Sequence, residues 1–322
     1  MDQRGSLSLN RRAAAIADAM AAEAAALRIQ ASTLEGGTRL VDCGIETPGG
    51  LEAGRLLAEV CLGGAGRVDF TSVDCDGIRL PGVQVRTDHP AVACLASQYA
   101  GWAIKPEGYF AMGSGPLRAI ARVEEALYAR LGYSELPSGP GVLVLETRTS
   151  PGAAVAAWLA EKSGVPSERL TLLVAPTATP AAGVQISARV VETALHKIHE
   201  LGFDVTRILT GVGTAPLAPI AKNDMRAIGR TNDCILYGGT VHLTVDAEDA
   251  ELEALVPRVP SSASRDYGTP FYDLFERYEW DFYKVDPHLF SPAQVALTNI
   301  RSGRTFEAGR LNAAILRQSL FG

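Results

Sequence analysis

Residues 185–200, QISARVVETALHKIHE, read as one amphipathic helix, and such a helix needs another layer to cover it. Ile186, Val190, Ala194, Ile198 and Leu201 recur at spacings of three and four and draw an apolar stripe. Gln185, Arg189, Glu192, His196 and His199 draw a polar stripe on the opposite side. Side chains three or four apart on a helix are neighbours, about 5–6 Å between Cβ atoms. Arg189 and Glu192 can therefore aim a guanidinium and a carboxylate at one point. Such a pair can hold and deprotonate a water, or it can be an ordinary solvated ion pair.

Composition narrows the partners. The chain has 322 residues, 47% hydrophobic and 20% charged, so it is globular and exceeds the usual size of one domain. Its net charge is −6 with no basic block, which argues against nucleic acid, whose phosphates require clustered Lys and Arg. The five cysteines (Cys43, Cys61, Cys75, Cys94, Cys234) are odd in number and never in CxxC spacing. That argues against a disulfide framework or zinc knuckle and suits a reducing cytosol. No apolar run reaches the ~20 residues that span a bilayer. The N-terminus, basic and then Ala-rich, looks like a transit peptide, but Asp18 and Glu23 interrupt it and its spacing is helical. It is read as the first helix of the fold.

Strands are expected at 39–43, 68–73 and 81–86, near 109–111, at Gly141–Glu146 and Leu170–Ala175, and at 295–300 and 305–306. Helices are expected at 51–62, 117–131, 152–163, 247–255, 269–278 and 311–320. The Gly- and Pro-rich 211–220 reads as a connector. A short helix at 224–228, a loop at 229–233 and a β-hairpin (234–237, turn at Gly238 and Gly239, 241–245) follow. The aromatic stretch 280–290 is irregular, and Phe282, Tyr283 and Phe290 read as core. This mix predicts an α+β (mixed α/β) fold with no accessory domain, and at this length two lobes with a cleft are the economical arrangement.

Several chemistries lack their signatures. There is no GxxxxGK[ST], HExxH, GxSxG or CxxC. His196 and His199 have no third ligand at readable spacing, so no metal site is assigned. Met112-Gly113-Ser114-Gly115-Pro116 before a helix can offer amides to an anion or be a plain turn, and Arg118 breaks the GxGxxG pattern. Arg189 precedes Glu192, the less favourable order along the helix dipole, but on the residues alone a weak surface ion pair stays the favoured reading.

Five words in order carry more than any of these motifs: CLASQYAGW (94–102), FAMGSGP (110–116), ARVVETALHK (188–197), GRTND (229–233) with YGG (237–239), and DFYKVDPHLFSPA (281–293). Together they resemble the methenyltetrahydromethanopterin cyclohydrolases, most closely the bacterial branch of methylotrophs, nearly end to end from about Ala13. Ala96 and Leu117 replace glycines common in that family.

The resemblance implies a cytoplasmic homotrimer without metal or redox cofactor, working in formaldehyde oxidation, whose subunits have two α/β-type lobes, discontinuous in sequence, with the substrate pocket in the cleft between them. Its substrate would be a reduced pterin: the methenyl-tetrahydromethanopterin cation, interconverted with the 5-formyl compound by adding or removing water. The family's catalytic Arg and Glu fall on Arg189 and Glu192. Ser97, Gln98 and Tyr99 resemble pterin-pocket residues, and Ser114 and Gly115 resemble an anion site beside it. Glu146 would bind pterin N–H groups or sit beside the cation. Arg230, Thr231, Asn232 and Lys284 would bind the polar tail or belong to a structural network. Two alternatives stay open: action on another pterin such as methenyl-tetrahydrofolate, and a non-catalytic pterin carrier.

Overall fold

The computed structural model describes residues 7–75, 77–99, 101–281 and 284–322, and has two compact units. One comprises residues 1–66 and 92–185, the other 67–91 and 186–322, so each is discontinuous in sequence. Each holds a mixed six-stranded sheet, and the fold is α+β.

The sheet of the first unit runs β1 (Gln30–Thr33), β2 (Arg39–Asp42), β8 (Leu170–Ala175), β7 (Gly141–Glu146), β6 (Ala111–Ser114), β5 (Trp102–Ile104). Its centre, β2–β8–β7, is parallel, and the flanking pairs are antiparallel. Parallel centres are covered on both faces and read as continuous apolar runs. GVLVLE and LTLLVA are such runs, and every residue of them but Glu146 is buried. Their side chains join those of α6 (Ala153–Ser163) in one core: Leu143, Leu145, Leu172 and Val174 with Val155 and Leu159. The N-terminal stretch forms α1 (Leu9–Ala22), capped by Ser8, whose Oγ accepts from the Arg11 amide.

The helix expected over 117–131 is two: α4 (Leu117–Ala121) and α5 (Glu125–Leu131). Arg122 takes the left-handed conformation (φ +49°) and ends the first. Residues 91–98 form a π-helix (Ala91–Gln98), where amides reach back five residues; the Tyr99 amide donates to Cys94 O at 2.8 Å.

The second sheet runs β12 (Thr305–Gly309), β11 (Gln294–Asn299), β10 (Thr240–Val245), β9 (Ile208–Pro216), β4 (Ile78–Thr87), β3 (Arg67–Cys75), all antiparallel except β10–β11. Two expectations fail here. The supposed connector 211–220 is largely strand β9, inside the sheet. Its glycines serve helix approach rather than a turn. A Cβ on Gly211 would lie 2.9 Å from Val191 Cγ1, and one on Gly213 would lie 2.9 Å from methyls of both Val190 and Val191. The supposed loop and hairpin at 229–245 is the helix α9 (Asp224–Gly238) followed by β10. Cys234, Leu236 and Tyr237 point into a core with Phe271, Leu274 and Leu289, and burial outweighs their strand propensity.

The stretch 185–200 is also not one helix. α7 (Pro180–Ser187) ends, Arg189 N donates to Ile186 O at 3.0 Å in a tight turn, and α8 (Val190–Glu200) begins. Ser187 Oγ, held on Pro216 O at 2.9 Å, fixes the break. The polar stripe is not a solvated face: Gln185, Arg189 and Glu192 are buried, and His196 and His199 are half-buried. Phe290 packs edge-on against Phe271, as expected of core, while Phe282 and Tyr283 lie outside the described residues.

Candidate functional site

Arg189 and Glu192 meet as their spacing predicts. Arg189 is the N-cap residue of α8 and Glu192 lies in its first turn, the positive end of the helix. Arg189 Nη1 stands 3.8 Å from Glu192 Oε2, an ion-pair rather than hydrogen-bond distance. Their side chains are only 11% and 6% exposed, so this is not the solvated surface pair that contributes about 0–1 kcal/mol. Burying two charges is costly, and a pair so placed is weak evidence of a stabilising role. The β9 glycines allow the first turn of α8 to lie against the sheet, and so set where both side chains stand.

Further along α8, Lys197 is buried and donates to Pro260 O at 2.7 Å. Burial pushes its ammonium down to about 8, against the opposing pull of Asp286.

In the first unit, the Ser97–Gln98–Tyr99 word closes the π-helix. Ser97 and Gln98 are fully buried and Tyr99 is half-buried. Ser97 Oγ donates to Cys61 O at 2.6 Å. Ser114 and Gly115 lie against this word: Ser114 Oγ donates to Gln98 O at 2.6 Å and the Gly115 amide to Ser97 O at 2.8 Å. These two donors are thus directed at backbone carbonyls.

Glu146 ends β7, and the Thr177 hydroxyl donates to its Oε1. In register with it, Ala175 ends β8 and Asp42 ends β2 opposite Val174. The carboxyl ends of parallel strands are where open α/β sheets gather ligand groups. Asp42 is taken up structurally: its carboxylate accepts from the amides of Gly44 (2.9 Å), Ile45 (2.7 Å) and Glu46 (2.7 Å).

In the second unit, Arg230, Thr231 and Asn232 lie within α9 rather than on a loop. Thr231 Oγ1 donates to Ala227 O (2.8 Å) and Asn232 Nδ2 to Ile228 O (2.8 Å), both within the helix. Arg230 is half-buried. Their neighbour Asp233 is fully buried and accepts from the Phe271 amide at 2.9 and 3.1 Å. Burial pushes its carboxyl up to about 7, against hydrogen bonds from Ser319 and Phe271. Lys284 is exposed and paired with Glu279 at 2.6 Å, which raises its ammonium above the usual value.

Among the described residues, no three His, Cys, Asp or Glu side chains are grouped to hold a metal, and no helix is long and apolar enough to cross a membrane. The sequence singles out neither Thr177, which holds Glu146, nor the buried Arg118. Thr177 carries no motif, and Arg118 stands out only as the residue that spoils GxGxxG.

The sequence profile of the family described as Cyclohydrolase (MCH) matches residues 8–320. Relatives named methenyltetrahydromethanopterin cyclohydrolase align along most of the chain. One from Methanococcoides burtonii is 41% identical over 97% of this chain and 98% of its own length. One from Methylobacterium nodulans is 45% identical over 97% of each chain. One from Methylobacillus flagellatus is 46% identical over 92% of this chain and 90% of its own.

Proposed function

Because the chain belongs to the methenyltetrahydromethanopterin cyclohydrolase family, we propose that it interconverts 5,10-methenyl-tetrahydromethanopterin plus water with 5-formyl-tetrahydromethanopterin in one-carbon metabolism. The observation that carries the catalytic assignment is the buried Arg189–Glu192 pair at the start of α8.

The chemistry needs little apparatus. The bridging carbon of the substrate sits in an amidinium-like cation and is already electrophilic. A positioned water and a base suffice. Glu192 accepts the water proton as oxygen bonds to that carbon. Arg189 orients the carboxylate and donates to the oxygen as the tetrahedral adduct forms. The adduct then opens at one carbon–nitrogen bond: the leaving nitrogen takes the proton held by Glu192, the adduct's hydroxyl loses its own proton as the formyl carbonyl forms, and one proton is released overall. Ring closure runs the same steps backwards, with Glu192 as general acid. No step calls on a metal or redox cofactor.

Tyr99 and Glu146 are the proposed pterin contacts in the first unit, with Thr177 holding Glu146 and the fully buried Gln98 backing Tyr99. Ser97, Ser114 and Gly115 shape that wall, and Arg230, Thr231, Asn232 and Lys284 are assigned to the tail side. We read the chain as a cytoplasmic homotrimer serving formaldehyde oxidation in a methylotroph. Five buried free thiols support a reducing compartment, and light scattering on the purified protein tests the trimer.

Loss of methenyl absorbance on mixing the protein with methenyl-tetrahydromethanopterin is the direct test. Turnover of methenyl-tetrahydrofolate alone would overturn the substrate assignment. Tight binding of the tetrahydromethanopterin compound without turnover would make the chain a carrier.

A further inference from the structure

The last turn of the π-helix presents four carbonyls, and each receives a donor from residues 114–128. Arg118 Nη1 donates to Leu95 O at 3.1 Å, the Tyr128 hydroxyl to Ala96 O at 2.9 Å, the Gly115 amide to Ser97 O at 2.8 Å and the Ser114 hydroxyl to Gln98 O at 2.6 Å. Helix ends ordinarily leave such carbonyls to water or to a cap. Here residues 95–98, which lead directly into Tyr99, are tied down carbonyl by carbonyl.

Only one of the four donors carries a full charge. Arg118 is 0% exposed, and its Nε and Nη2 make no hydrogen bond among the described residues. Two groups compensate its charge. The Tyr99 ring centroid lies 5.0 Å from the guanidinium carbon, and Glu124 Oε1 lies 3.6 Å from Nη2. The left-handed Arg122 separates the helix carrying Arg118 from the turn carrying Glu124. Gly101 completes the packing. A Cβ there would overlap Glu124 Oε1 and lie 2.6 Å from Tyr99 Cε1. A buried guanidinium that leans on an aromatic face for compensation also fixes that face, because the attraction acts equally on both partners. Lysine could cap Leu95 O but could not stack a plane on the ring.

We propose that Arg118 is a positioning residue for substrate binding: through Leu95 O and the Tyr99 ring it holds Tyr99 in the orientation that packs on the pterin. This rests on the cyclohydrolase function proposed above, with Tyr99 as a substrate contact. Arg118 touches no reacting atom, so its loss acts on KM rather than kcat.

The test is steady-state kinetics on the full chain with methenyl-tetrahydromethanopterin, comparing Arg118→Lys, Tyr99→Leu and the double variant. Arg118→Lys is expected to raise KM about tenfold while kcat stays within about threefold. Tyr99→Leu should raise KM at least as much, and the double variant should be no worse than Tyr99→Leu alone, because the two act as one unit. An unchanged KM in Arg118→Lys, even with a lowered denaturation midpoint, overturns the proposal. So do KM effects that multiply in the double variant. Gly101→Ala is the second route should Arg118→Lys not fold: it keeps Arg118 and presses on Tyr99. A KM raised severalfold is expected, and an unchanged one overturns the proposal. If Tyr99→Leu alone leaves KM as in the wild type, the proposal falls while the cyclohydrolase function stands. If the wild type turns over neither methenyl carrier, both fall.

Discussion

Gly213→Ala tests whether the seat of α8 on β9 sets the geometry of Arg189 and Glu192. The added Cβ would lie 2.9 Å from Val190 Cγ1, 2.9 Å from Val191 Cγ2 and 3.0 Å from Val241 Cγ2. Comfortable carbon contacts are about 3.5–4.0 Å, so three methyls must yield by about half an ångström or more. The backbone favours the change: alanine loses less freedom on folding than glycine, by about 0.5–1 kcal/mol in a strand. Overpacking opposes it by about 1–3 kcal/mol. The net is a destabilisation of about 1–2 kcal/mol, read as a lower urea midpoint by circular dichroism. Val190 and Val191 directly follow Arg189, so relief by shifting α8 moves the ion pair with it. A misplacement of about 1 Å can cost about a hundredfold in rate, and kcat should fall tenfold to about a hundredfold. Val191→Ala, which removes one of the struck methyls, should restore part of the turnover. Wild-type midpoint and wild-type turnover in Gly213→Ala would refute the seating of α8 on this strand as the source of the site's geometry.

Arg189→Lys should lower kcat by about tenfold or more, because lysine lacks the planar fork that orients a carboxylate, and unaltered kinetics would leave Arg189 a bystander. Asp233 makes stability depend on pH. Its folded carboxyl is raised from 3.8 to about 7, so between those values the folded chain holds a proton that the unfolded chain has lost, and stability falls as pH rises. Above about 7 the buried carboxylate is ionised in both states and its penalty, up to about 4 kcal/mol, is fully present. Asp233→Asn should therefore shrink the difference between urea midpoints at pH 5 and pH 8, and an unchanged difference would exonerate this carboxyl.

Legibility in the sequence followed from how many physical causes could write the same letters. GVLVLE and LTLLVA were legible to the residue because a strand buried on both faces has one pattern, a short apolar run between turn signals. GVGTAP was not, because glycine serves equally for a turn and for close approach of a helix; only the positions of Val190 and Val191 tell which. CILYGG at the end of α9 carries strand-favouring residues that burial against Phe271 and Leu274 keeps helical. For the candidate site, the spacing of Arg189 and Glu192 was readable at sight. Their burial was not, because periodicity shows which residues share a face but not what covers it. Arg118 was visible as an oddity and silent as to role, since its partners Leu95 and Tyr99 stand about twenty residues earlier in the chain.

The central claim is that Glu192 moves the proton of the attacking water. Glu192→Gln keeps the shape of the side chain and removes the base, and the loss of methenyl absorbance on mixing with methenyl-tetrahydromethanopterin reads its effect directly. In Glu192→Gln, kcat should fall by about a hundredfold or more with KM nearly unchanged, within the range general-base catalysis supplies. A variant that turns over at the wild-type rate would contradict the claim and place water activation on another group.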